Sequence, residues 1–543
     1  MRHRGKIRTG RRGEQGITIL AVLILAILVG GISSAFVTLG LSESRASEAW
    51  RQKMKATYLA EAGCEETAAQ VRRLQANYVN VPTAPSRVTQ SSTDAEFQFW
   101  KDTLGDLHGT GVLHLNGVDI SCSIDEVGDS RTVSMGLGLR FLQAYRIVAE
   151  TRFQGALGRV TRMVDLAEDP LPGFFAFYNS DLEIQPGPTA NFTGRIHTNG
   201  NLHIGSHNTL SLRSSFVHAS GEMYRFRKEN GTIMGGTVRV TKYGTGSYAD
   251  WPSSLQSISP DWETESANRW NGTVQAHVPT IEPPELGSIE PGGHFHQSAG
   301  LVIMDGQAYF NGSLVTLPEG TITTGSIYDA REEKNIPVTT VDVAKLGTSG
   351  YFPPNGILYA YHTSNSSSSP KGIMLTNGAE LPAPLTTVSN APVYIKGDFN
   401  TGGGNPARKR PAMVMADAIN LLSNSWTGTK KKGDRPPAAS NTTYNFVVVT
   451  GNLETQSGQY NGGLENLVRF HENWSNKYCT MRGSFINLWR SKIATGRWGK
   501  SNVYSPPNRN WDFDSSLEEY DNQPPGRLSG WSVARTTYQE DYP

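Results

Sequence analysis

Two histidine pairs come first among the side chains that could do chemistry. His294 and His296 are one residue apart, so on a strand they would share a face. His197 and His203 flank a predicted turn. Either pair could hold a metal, but two imidazoles without a third donor nearby make an incomplete ligand set. Asp512, Asp514 and Ser516 begin like a calcium loop. The sixth position is Leu517 where such a loop needs glycine, and the twelfth is Gln523 where it needs glutamate. Residues 512–521 therefore read as a loop of solvated carboxylates, with calcium binding the weaker alternative. Cys64, Cys122 and Cys479 form no CxxC pair, which argues against zinc. In an oxidising exterior Cys122 and Cys479 could pair; the competing expectation is three small buried hydrophobes.

Polysaccharide chemistry would need aligned carboxylates and aromatic faces. Asp398, Asp417 and Glu454 lie in or beside predicted strands, but no spacing rule makes them a pair. Trp251, Trp262, Trp270, Trp426, Trp474, Trp489 and Trp511 could form a sugar-stacking surface, although tryptophan is more often core. No GxSxG, P-loop or HExxH motif is present. The expectation is no catalytic residue, no metal and no cofactor.

What positions everything else is the stretch of residues 17–41, which carries no charged residue and is long enough to span a bilayer. Arg2, Arg4, Lys6, Arg8, Arg11 and Arg12 precede it against the single acid Glu14, which predicts a cytoplasmic N-terminus and an exported remainder. Residues 42–74 continue without proline and with many good helix formers. Ala46, Ala49, Trp50, Met54, Tyr58, Ala62 and Ala69 fall near helical spacing on one side. The two halves predict one helix on the order of 85 Å long, with Gly30 and Gly31 as points where it could kink. An uncleaved signal anchor fits the same charge asymmetry. A signal peptide cut near Ser33, Ser34 and Ala35 fits less well, because the apolar core is long for one.

A basic leader ending at Gly16, an apolar helix starting at Ile17 and an amphipathic continuation resemble the N-terminus of a type IV prepilin or pseudopilin. The segment YLAEAGCEE, residues 58–66, is similar to the AEAG stretch of PilX-like minor pilins. The resemblance covers about the first 75 residues. It implies cleavage between Gly16 and Ile17 by a prepilin peptidase, and methylation of the new terminus. The fifth mature residue of a major pilin is glutamate and here it is Ala21, a departure shared with large tip pseudopilins and some minor pilins. That argues against a major filament subunit. The run from PVYIKGDFN through AMVMADAINLLSNSW to the tail also resembles large PilX-like exported proteins of unassigned function.

Beyond the helix, residues 76–92 read as a loop, and Phe97, Trp100, Leu104 and Leu107 predict a short helix over residues 95–107. A strand meander follows. Asn116-Gly117 is a hairpin signal; residues 118–124, 145–153 and 160–166 alternate, with a turn at residues 155–158 between the last two. After a boundary at residues 169–173 one pattern recurs: an extended run, Gly, then Asn, Asp or Ser, then Leu or Phe, at Gly200, Gly312, Gly397, Gly451 and Gly483. It predicts strands with tight corners. Residues 240–296, 363–371, 401–411 and 427–440 read as insertions, the last two basic, and residues 463–474 as an apolar helix face.

The expected fold is α+β, mainly β. It comprises a leader (1–16), a continuous membrane-spanning and amphipathic helix (17–75), a helix-plus-sheet domain (76–170) and a large irregular β-helix-like or layered β domain (171–543). Gly 57, Pro 29 and 18% charged residues agree with a loop-rich β protein, and a net charge of +1 gives nothing that points to nucleic acid. The expected function is a non-enzymatic, pilin-like anchored protein, single-pass in the cytoplasmic membrane. Its expected partners are other pilin-like subunits, the membrane, the prepilin peptidase and surface glycans. The alternative is a membrane-tethered β-helix enzyme or binding module acting on extracellular polysaccharide.

Overall fold

A computed structural model describes residues 12–83, 86–87, 95–134, 139–499 and 502–539. The basic residues at positions 2–11 and part of the 76–92 loop lie outside it. One helix, Arg12–Ala76, runs 65 residues and continues through Gly30 and Gly31. Its first half is exposed, whereas its second half lies on an antiparallel sheet. That sheet runs Ser86–Arg87, Ala95–Lys101, Leu107–Leu115, Val118–Glu126, Leu139–Phe153, Ala156–Pro170 and Ser529–Gln539, with Arg131–Ser134 paired beside it.

Residues 95–107 form a strand and a turn, not a helix. Phe97 and Phe99 alternate inward and stack with centroids 5.9 Å apart, while Leu104 sits 85% exposed in the turn. Period two wins because the sheet edge offers both rings a core to enter. Asn116 and Gly117 take positive φ of 52° and 76° in the hairpin, the pair of left-handed residues a tight two-residue turn needs.

The helix face on the sheet also differs from the predicted one. Ala56, Ala60, Cys64, Thr67, Ala68, Val71 and Leu74 are buried, while Trp50 and Tyr58 are exposed. Close approach selects small side chains and turns the bulky ones outward. A Cβ on Gly63 would stand 2.7 Å from Ile120 Cγ2, so the glycine of the AEAG stretch is needed where the helix meets the sheet.

The remaining chain winds in parallel coils. In a first run Phe174–Tyr178, Arg195–Thr198, Val217–Ala219 and Val274–Gln275 stack along one wall; Leu182–Ile184, Leu202–Ile204 and Met223–Tyr224 form a second, and Ala190–Thr193, Thr209–Arg213 and Thr237–Thr241 a third. The chain then crosses to the far end of the same 13-stranded sheet. It returns through Ile357–Tyr361, Leu385–Val388, Ala412–Ala416 and Thr442–Asn452 to Tyr478–Arg490. The facing wall of this second run is Lys334–Asp342, Gly372–Thr376, Pro392–Lys396, Ala418–Leu422 and Val468–Phe470. The runs join where Phe485 pairs with Ala176 in parallel register. After Asn508–Phe513 the chain goes back to the first sheet and pairs Ser529–Gln539 with Ala156–Pro170.

The recurring glycines have several roles. Gly200, Gly397 and Gly451 lie at or beside coil corners, Gly312 turns an antiparallel hairpin, and Gly483 lies inside a strand, where a Cβ would meet Phe446 O at 2.0 Å. Residues 463–474 form a 3-10 turn, Leu464–Asn466, and a strand, Val468–Phe470, not a helix. The slot beside Ala418–Leu422 is open there, and a parallel strand buries Val468 and Phe470 on a prepared wall.

Candidate functional site

The first half of the helix is exposed along its described length. Every residue from Gly16 to Arg51 is exposed, with Ile17 at 71%. Residues 17–41 would extend about 37 Å as helix, enough to cross a hydrocarbon layer about 30 Å thick. Among the described residues this is the one helix long and apolar enough to do so. Leaving that surface in water would cost about 25 cal/mol for each Å² of apolar area. Gly16, Ile17 and Ala21 lie on this exposed helix, with nothing within 4 Å of a Cβ built on Gly16.

The second half of the helix is fixed to the rest of the chain by side-chain contacts. Lys53 Nζ donates to Leu157 O at 2.7 Å, and Arg162 pairs with Glu65 at 2.5 Å. Burial lowers the Arg72 guanidinium pKa, and Glu282 opposes that shift. Just past the helix, Asn77 Oδ1 accepts from Glu285 N at 2.7 Å. The Tyr78 hydroxyl donates to Arg527 O at 2.7 Å, and its ring stacks on His294 at 3.9 Å. Between sheet and coils, Asp169 takes Arg140 at 2.6 Å and Arg195 at 3.6 Å.

The predicted metal ligands are not brought together. His294 and His296 lie on a short helix, His294–Ser298, instead of a strand. His296 Nδ1 accepts from Gly292 N at 2.8 Å, and its ring leans on Tyr359 at 4.8 Å. Burial lowers both pKa values. His197 stacks on Phe177 and is pushed down to about 4 by burial; His203 packs on Tyr224. Asp512 accepts from Thr193 N at 2.8 Å and Thr193 Oγ1 at 2.6 Å, which pins Ala190–Thr193 beside Asn508–Phe513. Asp514 caps the turn Ser515–Glu518 and pairs with Lys409. Among the described residues no group of three or more His, Cys, Asp or Glu could hold a metal.

The carboxylates and thiols have structural partners too. Asp417 accepts from the backbone of Lys492, Ile493 and Ala494; Asp398 from Thr443 N; Glu454 pairs with Arg490. The tryptophans are core residues and form no sugar-stacking surface: Trp251, Trp262 and Trp270 pack with centroids 5.0–6.2 Å apart, and Trp426, Trp474, Trp489 and Trp511 are buried. Cys122 and Cys479 are free thiols in separate cores, so they form no disulfide. Burial pushes Cys64 and Cys479 up to about 12, leaving inert thiols.

Sequence reasoning missed one buried polar cluster. Tyr394 donates to Asp329 at 2.8 Å, His471 Nδ1 lies 3.8 Å from Asp329, and Arg469 pairs with Glu332 at 2.7 Å. These side chains come from three separate segments, so no local motif could announce them. Tyr394, Asp329, Arg469 and His471 are buried, and tie the second run's facing wall together.

Among solved structures, the crystal structure of the competence-associated pilin ComZ from Thermus thermophilus is similar at 10% identity over 91% of this chain and 98% of that one, with a TM-score of 0.25. No protein-family model and no curated protein matches the chain.

Proposed function

We propose that the chain is a non-enzymatic, pilin-like anchored protein, a PilX-like minor pilin or pseudopilin of a type IV pilus or type II secretion-like assembly. A prepilin peptidase cuts between Gly16 and Ile17. The helix holds the protein in the cytoplasmic membrane with its N-terminus inside, then packs on the helices of neighbouring subunits. Ala21 cannot supply the carboxylate of a repeating subunit, which fits a tip or initiating position. The β-rich body is displayed outside.

The observation that carries this reading is one continuous helix with its apolar half uncovered and its second half fixed on an antiparallel sheet. The test replaces Leu28 with a photo-crosslinking residue in cells. Light-dependent adducts with other pilin-like subunits are expected from Leu28 and none from Ile258, exposed on the body. Adducts with no protein at Leu28 would count against the proposal.

A further inference from the structure

Where the two coil runs meet, residues 185–192 of the first face residues 460–470, 497–499 and 503–512 of the second across a groove of about 970 Å³. Its walls carry aromatic rings next to guanidinium groups. Arg227 lies 5.4 Å from the Tyr460 ring centroid, and Arg509 lies 5.2 Å from that of Trp511. Trp498 Nε1 donates to the Tyr504 hydroxyl at 3.0 Å, which fixes a further aromatic edge. Below them, Glu465 Oε1 accepts from Gln185 N at 3.1 Å, while Glu465 Oε2 and Gln185 Oε1 have no hydrogen-bond partner.

We propose that this groove binds an acidic saccharide, a chain containing uronic or other sugar-acid units. A pyranose has apolar C–H faces that lie on aromatic rings, a rim of hydroxyls that both donate and accept, and here a carboxylate that a guanidinium receives in a fork. The groove offers each: Tyr460 and Trp498 for ring faces, Arg227 and Arg509 for the carboxylate, Glu465 and Gln185 for hydroxyls. Burial raises Glu465 to about 7, Glu183 pushes the same way and Arg509 opposes, so near neutrality its carboxyl can donate as well as accept. A single-stranded nucleic acid would share the stacking and the arginines. The acid and amide groups of Glu465 and Gln185 beside an aromatic face match the rim of hydroxyls that a saccharide carries and a deoxyribose-phosphate backbone lacks. Binding here does not depend on whether the helix assembles with pilin-like neighbours.

The test is isothermal titration calorimetry on the full chain in detergent micelles. The probes are tetragalacturonate, a hyaluronan tetrasaccharide, a sialic acid oligomer, neutral maltotetraose and an oligothymidylate. At least one acidic oligosaccharide is expected to bind at least about tenfold more tightly than maltotetraose, with Arg227→Ala and Tyr460→Ala each weakening it by about tenfold. Arg408→Ala, on an exposed ion pair away from the groove, should leave it unchanged. Thermal unfolding of each variant separates lost binding from lost fold, and the acidic-to-neutral comparison needs no variant. No binding by any acidic sugar, equal binding of the neutral one, affinity indifferent to folded Arg227 and Tyr460 variants, or binding of oligothymidylate alone would overturn the proposal.

Discussion

Gly158 meets the backbone of Ala56: a Cβ built on the glycine would lie 2.2 Å from the Ala56 carbonyl carbon and oxygen. The helix is held at this distance by Lys53, whose ammonium reaches Leu157 O one residue away. The strand and the helix can approach only because neither brings a side chain to the contact. Gly158→Ala should therefore push the helix off the sheet and cost about 1–3 kcal/mol, as overpacking does. Thermal unfolding of the full chain in detergent checks it; an unchanged midpoint would mean that the helix is not seated there.

The last strand is a clasp. Ser529–Gln539 pairs with Ala156–Pro170 on one side, and the Trp531 backbone exchanges hydrogen bonds of 2.7 and 2.9 Å with Glu282 on the other. Ending the chain after Leu528 should expose that sheet edge and uncover core beneath Trp531 and Val533. The expected loss is about 3 kcal/mol of stability, with faster amide exchange along residues 161–170. Unaltered exchange there would contradict the clasp.

Acid should destabilise the coils through their buried histidines. His471 gives Nε2 to Asn420 Oδ1 at 2.9 Å and is pushed down to about 4, chiefly by burial, against the pull of Asp329. His197 is held near 4 and His218 near 3, again chiefly by burial. In the unfolded chain each takes a proton near pH 6.5, so below that the unfolded state binds more protons. Their contribution is complete above about 6.5 and is lost as pH falls toward about 4. Glu465, raised to about 7, has the opposite slope: its contribution is lost as pH rises from about 4.5 to 7. His471→Gln should flatten the acid limb by about 1.4 kcal/mol per pH unit, and Glu465→Gln the neutral one. Urea unfolding at a series of pH values reads both; variants parallel to the wild type would refute the assignment.

The thiols should be silent. With Cys122 and Cys479 in different cores and all three cysteines free and buried, reductant should not change the melting temperature. Alkylation should add mass only after unfolding. A reductant-sensitive transition would mean a disulfide where the structure has free thiols.

Local signals reached some of this architecture and stopped at a definite point. The long helix and the 116–166 meander could be read because their periodicity is contained in one window. The spacing of Phe97, Trp100, Leu104 and Leu107 matched a helix, but Phe97 and Phe99 enter a core that only the folded sheet supplies. The small residues Ala56, Ala60 and Gly63 decided the helix face over the larger Trp50 and Tyr58, because backbone approach outweighs side-chain bulk at that seam. The parallel registers, such as Phe485 on Ala176, join residues some three hundred apart and leave no local trace. For the same reason the groove, which takes a wall from each run, could not be seen in a linear reading.

If the exposed apolar helix enters the membrane as a cleaved pilin-type anchor, the mass of the mature N-terminus records the cut. It should be measured in cells with and without the prepilin peptidase. The expected result is a chain beginning at a methylated Ile17, and the uncut form when the peptidase is absent. An intact Met1 in both, or a new terminus near Phe36, would contradict it.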